Sequence, residues 1–245
     1  MTSSDLWDQD DADRYEETSA AMYAPDVLDP AVDFLERLAG SGAALEFAVG
    51  TGRVAIPLAA RGVAVSGIEL SPPMADHLRR RDADGRVSVV VGDMATTTVA
   101  GRFALVYVVW NSLGNLRTQE EQARCFANAA RHLAPGGRFV VELGVPGIRR
   151  MPPGQTAVPF EVSAGHTGFD TYDLVTQQGT SHHYRRQDDG SVRYGASNFR
   201  YVWPSECDLM ARLAGLELER RAADWNGTPY TSDSEAHVSV WRKPA

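Results

Sequence analysis

The chain predicts an α/β fold, a doubly wound and mostly parallel sheet with helices on both faces, plus a small antiparallel β insertion. Three observations predict it. From Ala43 to Leu143, short apolar runs alternate with helical segments, the order that builds a parallel sheet with right-handed crossovers. The first of these runs, Ala43–Ala48, passes through Gly50-Thr51-Gly52 directly into a helix from Arg53 to about Ala60. Strand, glycine turn, helix is how a doubly wound nucleotide site opens. After Val145 the pattern changes to short strands with polar turns, which marks antiparallel pairing.

The bulk numbers bound the rest. A chain of 245 residues can fold as one α/β domain with a full core and an insertion. Hydrophobic content of 43% and charged content of 23% are ordinary for a globular protein. A formal charge of −8 argues against nucleic acid and anionic membranes as partners. The basic run Arg79-Arg80-Arg81 falls on a predicted helix and reads as a solvated face. Cys125 and Cys207 stand apart with no CxxC pattern, which fits free buried thiols in a reducing cytoplasm. The acidic N-terminus lacks the basic and apolar regions of a signal peptide, and Phe103–Trp110 is far too short to span a bilayer. No membrane association is expected.

The elements follow in order. The first dozen residues are polar and acidic and read as frayed. Ala12–Ala24 reads as a helix, with Tyr15, Met22 and Tyr23 as an apolar patch. Pro25 and Pro30 bracket a turn before a second helix from Pro30 to Leu38. Val63–Ile68 is the second strand, with Glu69 at its tip, and Ser71-Pro72-Pro73 starts the next helix with Ser71 as cap. Val87–Val91 reads as an apolar strand buried on both faces. Phe103–Val109 is the fourth strand, Gln119–Leu133 a helix, Pro135-Gly136-Gly137 a turn and Arg138–Leu143 the fifth strand. Val145–Pro159 reads as a loop. Strands are expected near Phe169–Val175, His182–Arg186 and Val192–Tyr201, with a hairpin turn at Asp188-Asp189-Gly190. Pro204–Ala214 is a helix, and Leu216–Trp225 and His237–Trp241 are the final strands. The resulting division is a helical lid (1–42), a nucleotide-binding core (43–144), a β-rich insertion (145–203) and a closing helix with two strands (204–245).

Charge decides which nucleotide fits. Gly50-Thr51-Gly52-Arg53-Val54-Ala55 satisfies the loose dinucleotide pattern G-x-G-x-x-A, a weak signal by itself. Glu46, in the strand before the turn, would repel a pyrophosphate and suits a cationic ligand. S-adenosylmethionine is such a ligand, with a sulfonium and an ammonium against one carboxylate. Glu69 lies about 20 residues past the turn, where an acid reaches ribose hydroxyls. Gly92-Asp93-Met94, at the tip of the third strand, offers an acceptor for an exocyclic amine and a thioether to pack on a ring.

The set LEFAVGTGR, SGIELSPPM, VVVGDM and RHLAPGGRFVVEL, in this order and spacing, resembles the class I S-adenosylmethionine-dependent methyltransferases. The resemblance covers Ala43–Leu143 closely and the last helix and strand pair loosely. It implies a seven-stranded sheet with one antiparallel strand, S-adenosyl-L-methionine as cofactor and a small-molecule acceptor. It implies that Glu46, Ala48, Gly50 and Gly52 line the methionine end. Glu69 would hold the ribose, Asp93 and Met94 the adenine, Leu70 and Met74 would also bind the cofactor, and Trp110 and Asn111 would sit near the methyl group. The family prefers glycine where Ala48 stands, a mild change. Arg53 reads as a surface residue at the helix start. The tail FRYVWPSECDLMARLAGLELERR, after a strand-rich insertion, is similar to the small-molecule branch, which includes sugar-amine N-methyltransferases of antibiotic pathways. In that branch the insertion and N-terminal helix cover the substrate or pair two subunits, so a homodimer is one expectation. Tyr15 and Met22 carry over as lid contacts to the cofactor.

Methyl transfer from a sulfonium needs positioning more than acid–base machinery. A base is required only for a protonated acceptor. Candidates are His182, His183 and His166, with Tyr184 and Tyr230 as anchors and Asn111 to orient the acceptor. His182 and His183 are neighbours in a strand, so only one can face a given pocket. Their spacing does not suit a metal, and none is expected. Two other classes remain at this point: a nicotinamide-dependent oxidoreductase and a non-catalytic S-adenosylmethionine-binding protein.

Overall fold

The computed structural model describes residues 2–245. In chain order the strands are β1 (Ala44–Phe47), β2 (Val65–Glu69), β3 (Val87–Val91), β4 (Phe103–Val108), β5 (Leu133–Gly144), β6 (Ala157–Val162), β7 (His166–Asp173), β8 (Gln178–Arg186), β9 (Val192–Arg200), β10 (Glu217–Ala222) and β11 (Ala236–Arg242). The helices are α1 (Gln9–Thr18), α2 (Pro25–Ala39), α3 (Ala55–Ala60), α4 (Pro72–Arg81), α5 (Gln119–His132) and α6 (Pro204–Leu213). Seven strands make one sheet in the order β10-β11-β5-β4-β1-β2-β3, and β6-β7-β8-β9 make a second. β11 is antiparallel to both β5 and β10, while β1, β2, β3, β4 and β5 pair in parallel. The expected seven-stranded architecture is present.

The core lies on both faces of the large sheet. β1 is buried along its whole length, as a central parallel strand must be. On one face Phe126 packs edge to face with Phe139 and with Trp241. On the other, α2 inserts Ala31, Val32, Phe34 and Leu35 among β1, β4 and α3. β3 departs from expectation. It is the edge strand, so Ser88 and Val91 are exposed rather than buried on both faces.

Proline misled the reading of α2. The helix starts at Pro25, in its first turn where no N–H is needed, and carries Pro30 inside it. α2 packs in the core, and of residues 1–42 it is Ser4, Asp5, Leu6, Trp7 and Tyr15 that line the crevice described below. α3 is shorter than expected, with Arg53 and Val54 in the preceding turn.

The insertion is a separate antiparallel layer of four strands, not three. The predicted loop before it already holds a single 3-10 turn (Gly147–Arg150) and the start of β6. Its hairpin turn forms at Asp188-Asp189-Gly190 as expected, with Gly190 at φ +82° and Asp189 accepting the Ser191 N–H. Arg200, at the end of β9, fastens this layer to the core. Its guanidinium donates to Gln122 on α5 (2.5 Å), Gln177 (2.8 Å) and Glu206 on α6 (2.7 Å), and it is only 4% exposed.

Candidate active site: two adjoining cavities

Parallel strands leave their C-terminal tips facing one crevice, and here three tips carry acids. Glu69 ends β2. Its Oε2 accepts the Gly50 N–H and its Oε1 the Ser71 N–H, both at 2.8 Å. One side chain therefore joins the glycine turn, β2 and the start of α4. Ser71 caps α4, as expected, by accepting the Met74 N–H. Asp93 follows β3, and its Oδ1 accepts the Ala95 N–H at 2.8 Å. Glu46 lies deeper in β1, buried, and accepts from the Tyr107 hydroxyl at 2.9 Å. Burial raises its pKa to about 8, against the pull of Tyr107 and Arg53.

The first cavity runs along these tips. Ala48, Gly50, Glu69, Leu70, Met74, Asp93, Met94 and Tyr15 line it, all of them expected. Glu46, Gly52 and Met22 do not. Gly52, at φ +82°, serves packing: a Cβ there would lie 2.8 Å from the Ile56 Cδ1. Gly50 has only Met74 Cε near its missing Cβ, at 3.7 Å, so its backbone faces open space. Met22 is buried and lends its carbonyl to Arg53. Ala48 stands at φ +53°, so alanine here is more than a mild change.

The N-terminal segment is bound, not frayed. Ser3 bonds to Glu121, Ser4 donates to the Asn115 carbonyl, and the Trp7 carbonyl accepts from Ser71. Residues Ser4, Asp5, Leu6 and Trp7 form the cavity's outer wall and leave it only about 90 Å³. That is far below the roughly 300–1,000 Å³ of a small-molecule site. This strap narrows the space left for a nucleoside.

One arginine departs from the sequence reading, and one exposed arginine of the basic run has a further role. Arg53 is buried, its guanidinium 5.4 Å from the Trp110 ring centre. Arg81 lies over the Tyr23 ring and donates to the Thr51 carbonyl at 3.0 Å, tying the lid to the glycine turn.

The second cavity, about 500 Å³, lies between the two sheets. Trp110 and Asn111 line it from the end of β4, and Asn115 lines both cavities. Trp110 and Asn111 both adopt left-handed backbone, at φ +54° and +59°. They are held there by β5: Glu142 accepts the Trp110 N–H, and the Asn111 Oδ1 accepts the Gly144 N–H. Phe160, Asp170, Tyr172, Ser181 and Phe199 line it from the second sheet.

The remaining predicted residues lie outside it. His182 and Tyr184 point to the opposite face, where His182 stacks on Phe169 and bonds to Tyr194. His183 is on the cavity's face but pairs with His166 at 3.0 Å, screened from the cavity by Phe160. Burial and neighbouring positive groups lower the His183 pKa to about 4. Tyr230 packs on His237 and under Arg221. No metal-binding group of His, Cys, Asp or Glu occurs among the described residues. The polar group that sequence reasoning missed is Asp170 with Ser181 and Tyr172. Only the β7–β8 register, Asp170 opposite Ser181, brings them together.

The donor set fits an adenosyl cation better than a dinucleotide. A pyrophosphate would seek the N–H groups of the glycine turn. The Gly50 N–H already serves Glu69, and Glu69 and Asp93 line the crevice.

Comparison with known proteins gives the same direction. A family model described as a methyltransferase domain matches residues 44–137. The structure is similar to that of the CcbJ methyltransferase from Streptomyces caelestis: 37% identity, 88% of this chain and 89% of that chain covered, TM-score 0.80. The cypemycin N-terminal methyltransferase of a Streptomyces species is 28% identical over 209 residues, covering 80% of this chain and 81% of that protein. A dTDP-3-amino-3,4,6-trideoxy-alpha-D-glucopyranose N,N-dimethyltransferase from Streptomyces venezuelae is 33% identical over 120 residues, 49% of this chain and 50% of that protein.

Proposed function

Because this chain belongs to the class I S-adenosylmethionine-dependent methyltransferases, we propose that it methylates a nitrogen atom of a small molecule of secondary metabolism. One observation carries the reading. A cleft ringed by carboxylates adjoins an aromatic-walled cavity, and Asn115 stands in the wall of both. Relatives named for a peptide N-terminus and for an amino sugar support nitrogen as the acceptor atom.

S-adenosylmethionine, when bound, supplies a methyl group on a sulfonium, ready for displacement. In this reading Asp93 accepts from the adenine amine, Glu69 from the ribose, and Glu46 balances the ammonium. Met94 and Leu70 pack on the nucleoside. Trp110 and Asn111 form the boundary between donor and acceptor, fixed by Glu142 and Gly144. Their task is to hold the acceptor in line at roughly 3 Å from the carbon it attacks. No helix among the described residues is long and apolar enough to cross a membrane, which fits an acceptor met in water.

Asp93→Ala tests the donor side. Losing a hydrogen bond to a charged group is worth roughly 1.5–3 kcal/mol, so S-adenosylhomocysteine affinity should fall about tenfold or more by calorimetry. The wild-type melting temperature should rise with S-adenosylhomocysteine and not with NAD or NADP. Unchanged affinity in the variant would remove the adenine from Asp93.

A further inference from the structure

Asp170 is the one carboxylate among the residues that line the cavity between the sheets. Tyr172 donates to its Oδ2 at 3.0 Å, and Ser181, opposite it on β8, donates to its Oδ1 at 2.6 Å. These neutral hydroxyls fix its direction without neutralising it, and they occupy two of its roughly four acceptor positions. Around it stand Phe160, Tyr172, Phe199 and Trp110. A carboxylate in such walls calls for a cation or an N–H donor. Burial accordingly raises its pKa above the usual carboxylate range.

The same walls lack anything to receive a phosphate. Arg200 is the only cation among the lining residues, and its guanidinium is engaged by Gln122, Gln177 and Glu206. Arg149 and Arg150, just past the lining residue Gly147, are held by the Ser232 carbonyl and by Glu235.

We propose that Asp170 receives the acceptor nitrogen, and that the acceptor is a phosphate-free amine with an apolar or aromatic body. This rests on the nitrogen-methylation reading above and narrows it. The amine enters as an ammonium paired with Asp170. One N–H proton passes to the Asp170 carboxylate and on to solvent, freeing the lone pair. That lone pair forms the N–C bond as the C–S bond breaks, its electrons staying on sulfur. The products are S-adenosylhomocysteine and the methylated ammonium.

The test is a calorimetric titration of the full chain, with and without saturating S-adenosylhomocysteine. The probes are benzylamine, its near-isostere benzyl alcohol, and a dTDP-linked amino sugar. Benzylamine should bind roughly tenfold tighter than benzyl alcohol, the scale of a hydrogen bond to a charged group. Asp170→Asn should erase that preference and leave benzyl alcohol and S-adenosylhomocysteine affinities unchanged. Should Asp170→Asn fold poorly, Ser197→Lys puts a cation on the same wall, directly across from Ser181, and should abolish the preference by pairing with Asp170. An amine preference that survives both variants, no binding of benzylamine, or tighter binding of the dTDP sugar would overturn the proposal. Failure of S-adenosylhomocysteine to bind the wild type would sink the donor reading instead, and the titration without it would still decide Asp170.

Discussion

Main-chain groups hold the acids of the first cavity, whereas side chains hold the acid of the second. Glu69 is gripped by the N–H groups of Gly50 and Ser71, and Asp93 by that of Ala95. Asp170 is gripped by Ser181 and Tyr172, and Arg200, at the end of β9, by Gln122, Gln177 and Glu206. The difference has a consequence for change. A site anchored on main chain persists while the fold persists. A site anchored on side chains can be rewritten by one or two substitutions on a strand face. One scaffold can therefore keep its donor end and vary its acceptor end.

The hardest blow to that contrast is Glu69→Ala. It strands two N–H groups that have no other partner in the turn, at about 1–3 kcal/mol each. Denaturant unfolding should show a loss of about 2–6 kcal/mol in total. S-adenosylhomocysteine affinity should drop roughly a hundredfold, since the turn and the ribose acceptor go together. Ser181→Ala, the matching cut in the second cavity, should leave that affinity unchanged. Equal effects from the two variants would break the comparison.

The same contrast explains what could be read from the sequence. Glu69 and Asp93 were legible because a parallel sheet puts every strand tip at one crevice, so spacing alone locates them. Asp170 was not, because TGFDTYD places polar residues on both faces of β7 and only the register selects one. His182 and His183 drew attention by residue type, yet the sheet turns His182 away and pairs His183 with His166. The strap over the first cavity was invisible for a third reason. Ser3 meets Glu121 across 118 positions, and no local pattern announces such a contact. Arg81 is exposed like its neighbours, as the run suggested, but its bond to Thr51 spans 30 positions and no local pattern announces it.

Glu46 offers the next largest effect, through pH. Its pKa in the free protein stands at about 8, raised by burial and by Glu69 against the pull of Tyr107 and Arg53. The neutral form is favoured by folding. Its contribution to stability is complete below the ordinary value of 4.5 and is lost as pH rises through about 8. A bound ammonium favours the charged form and reverses the preference. Binding S-adenosylhomocysteine at pH 7 should therefore release a proton, and affinity should climb by up to about tenfold per pH unit from pH 6 toward 8. Calorimetry in two buffers of different ionisation heat reads the proton directly. A flat profile, or one that Glu46→Gln leaves unaltered, would take the ligand's amine away from Glu46.

The smallest effect compares two left-handed residues, one in each region. Ala48 at φ +53° sits in the first cavity's wall, and Gln177 at φ +59° sits in the turn between β7 and β8. Each carries strain of about 1–2 kcal/mol that glycine would relieve. For Ala48→Gly the relief is offset by glycine's looser unfolded chain, about 0.5–1 kcal/mol, and by a methyl only partly packed on the core. A net gain of a few tenths to about 1 kcal/mol remains, or about 1–4 °C in melting temperature for a chain of this length. Gln177→Gly gains the same relief but loses more. Its amide receives Arg200 and donates to the Tyr201 carbonyl and to Glu206. Leaving Arg200 short of a partner makes that variant less stable by about 1 kcal/mol or more. Opposite signs from one substitution at one backbone angle are what the two kinds of anchoring require. If both variants were stabilised, the Arg200 clasp would have no claim to hold the second sheet, and the division between the two regions would fail at its most sensitive point.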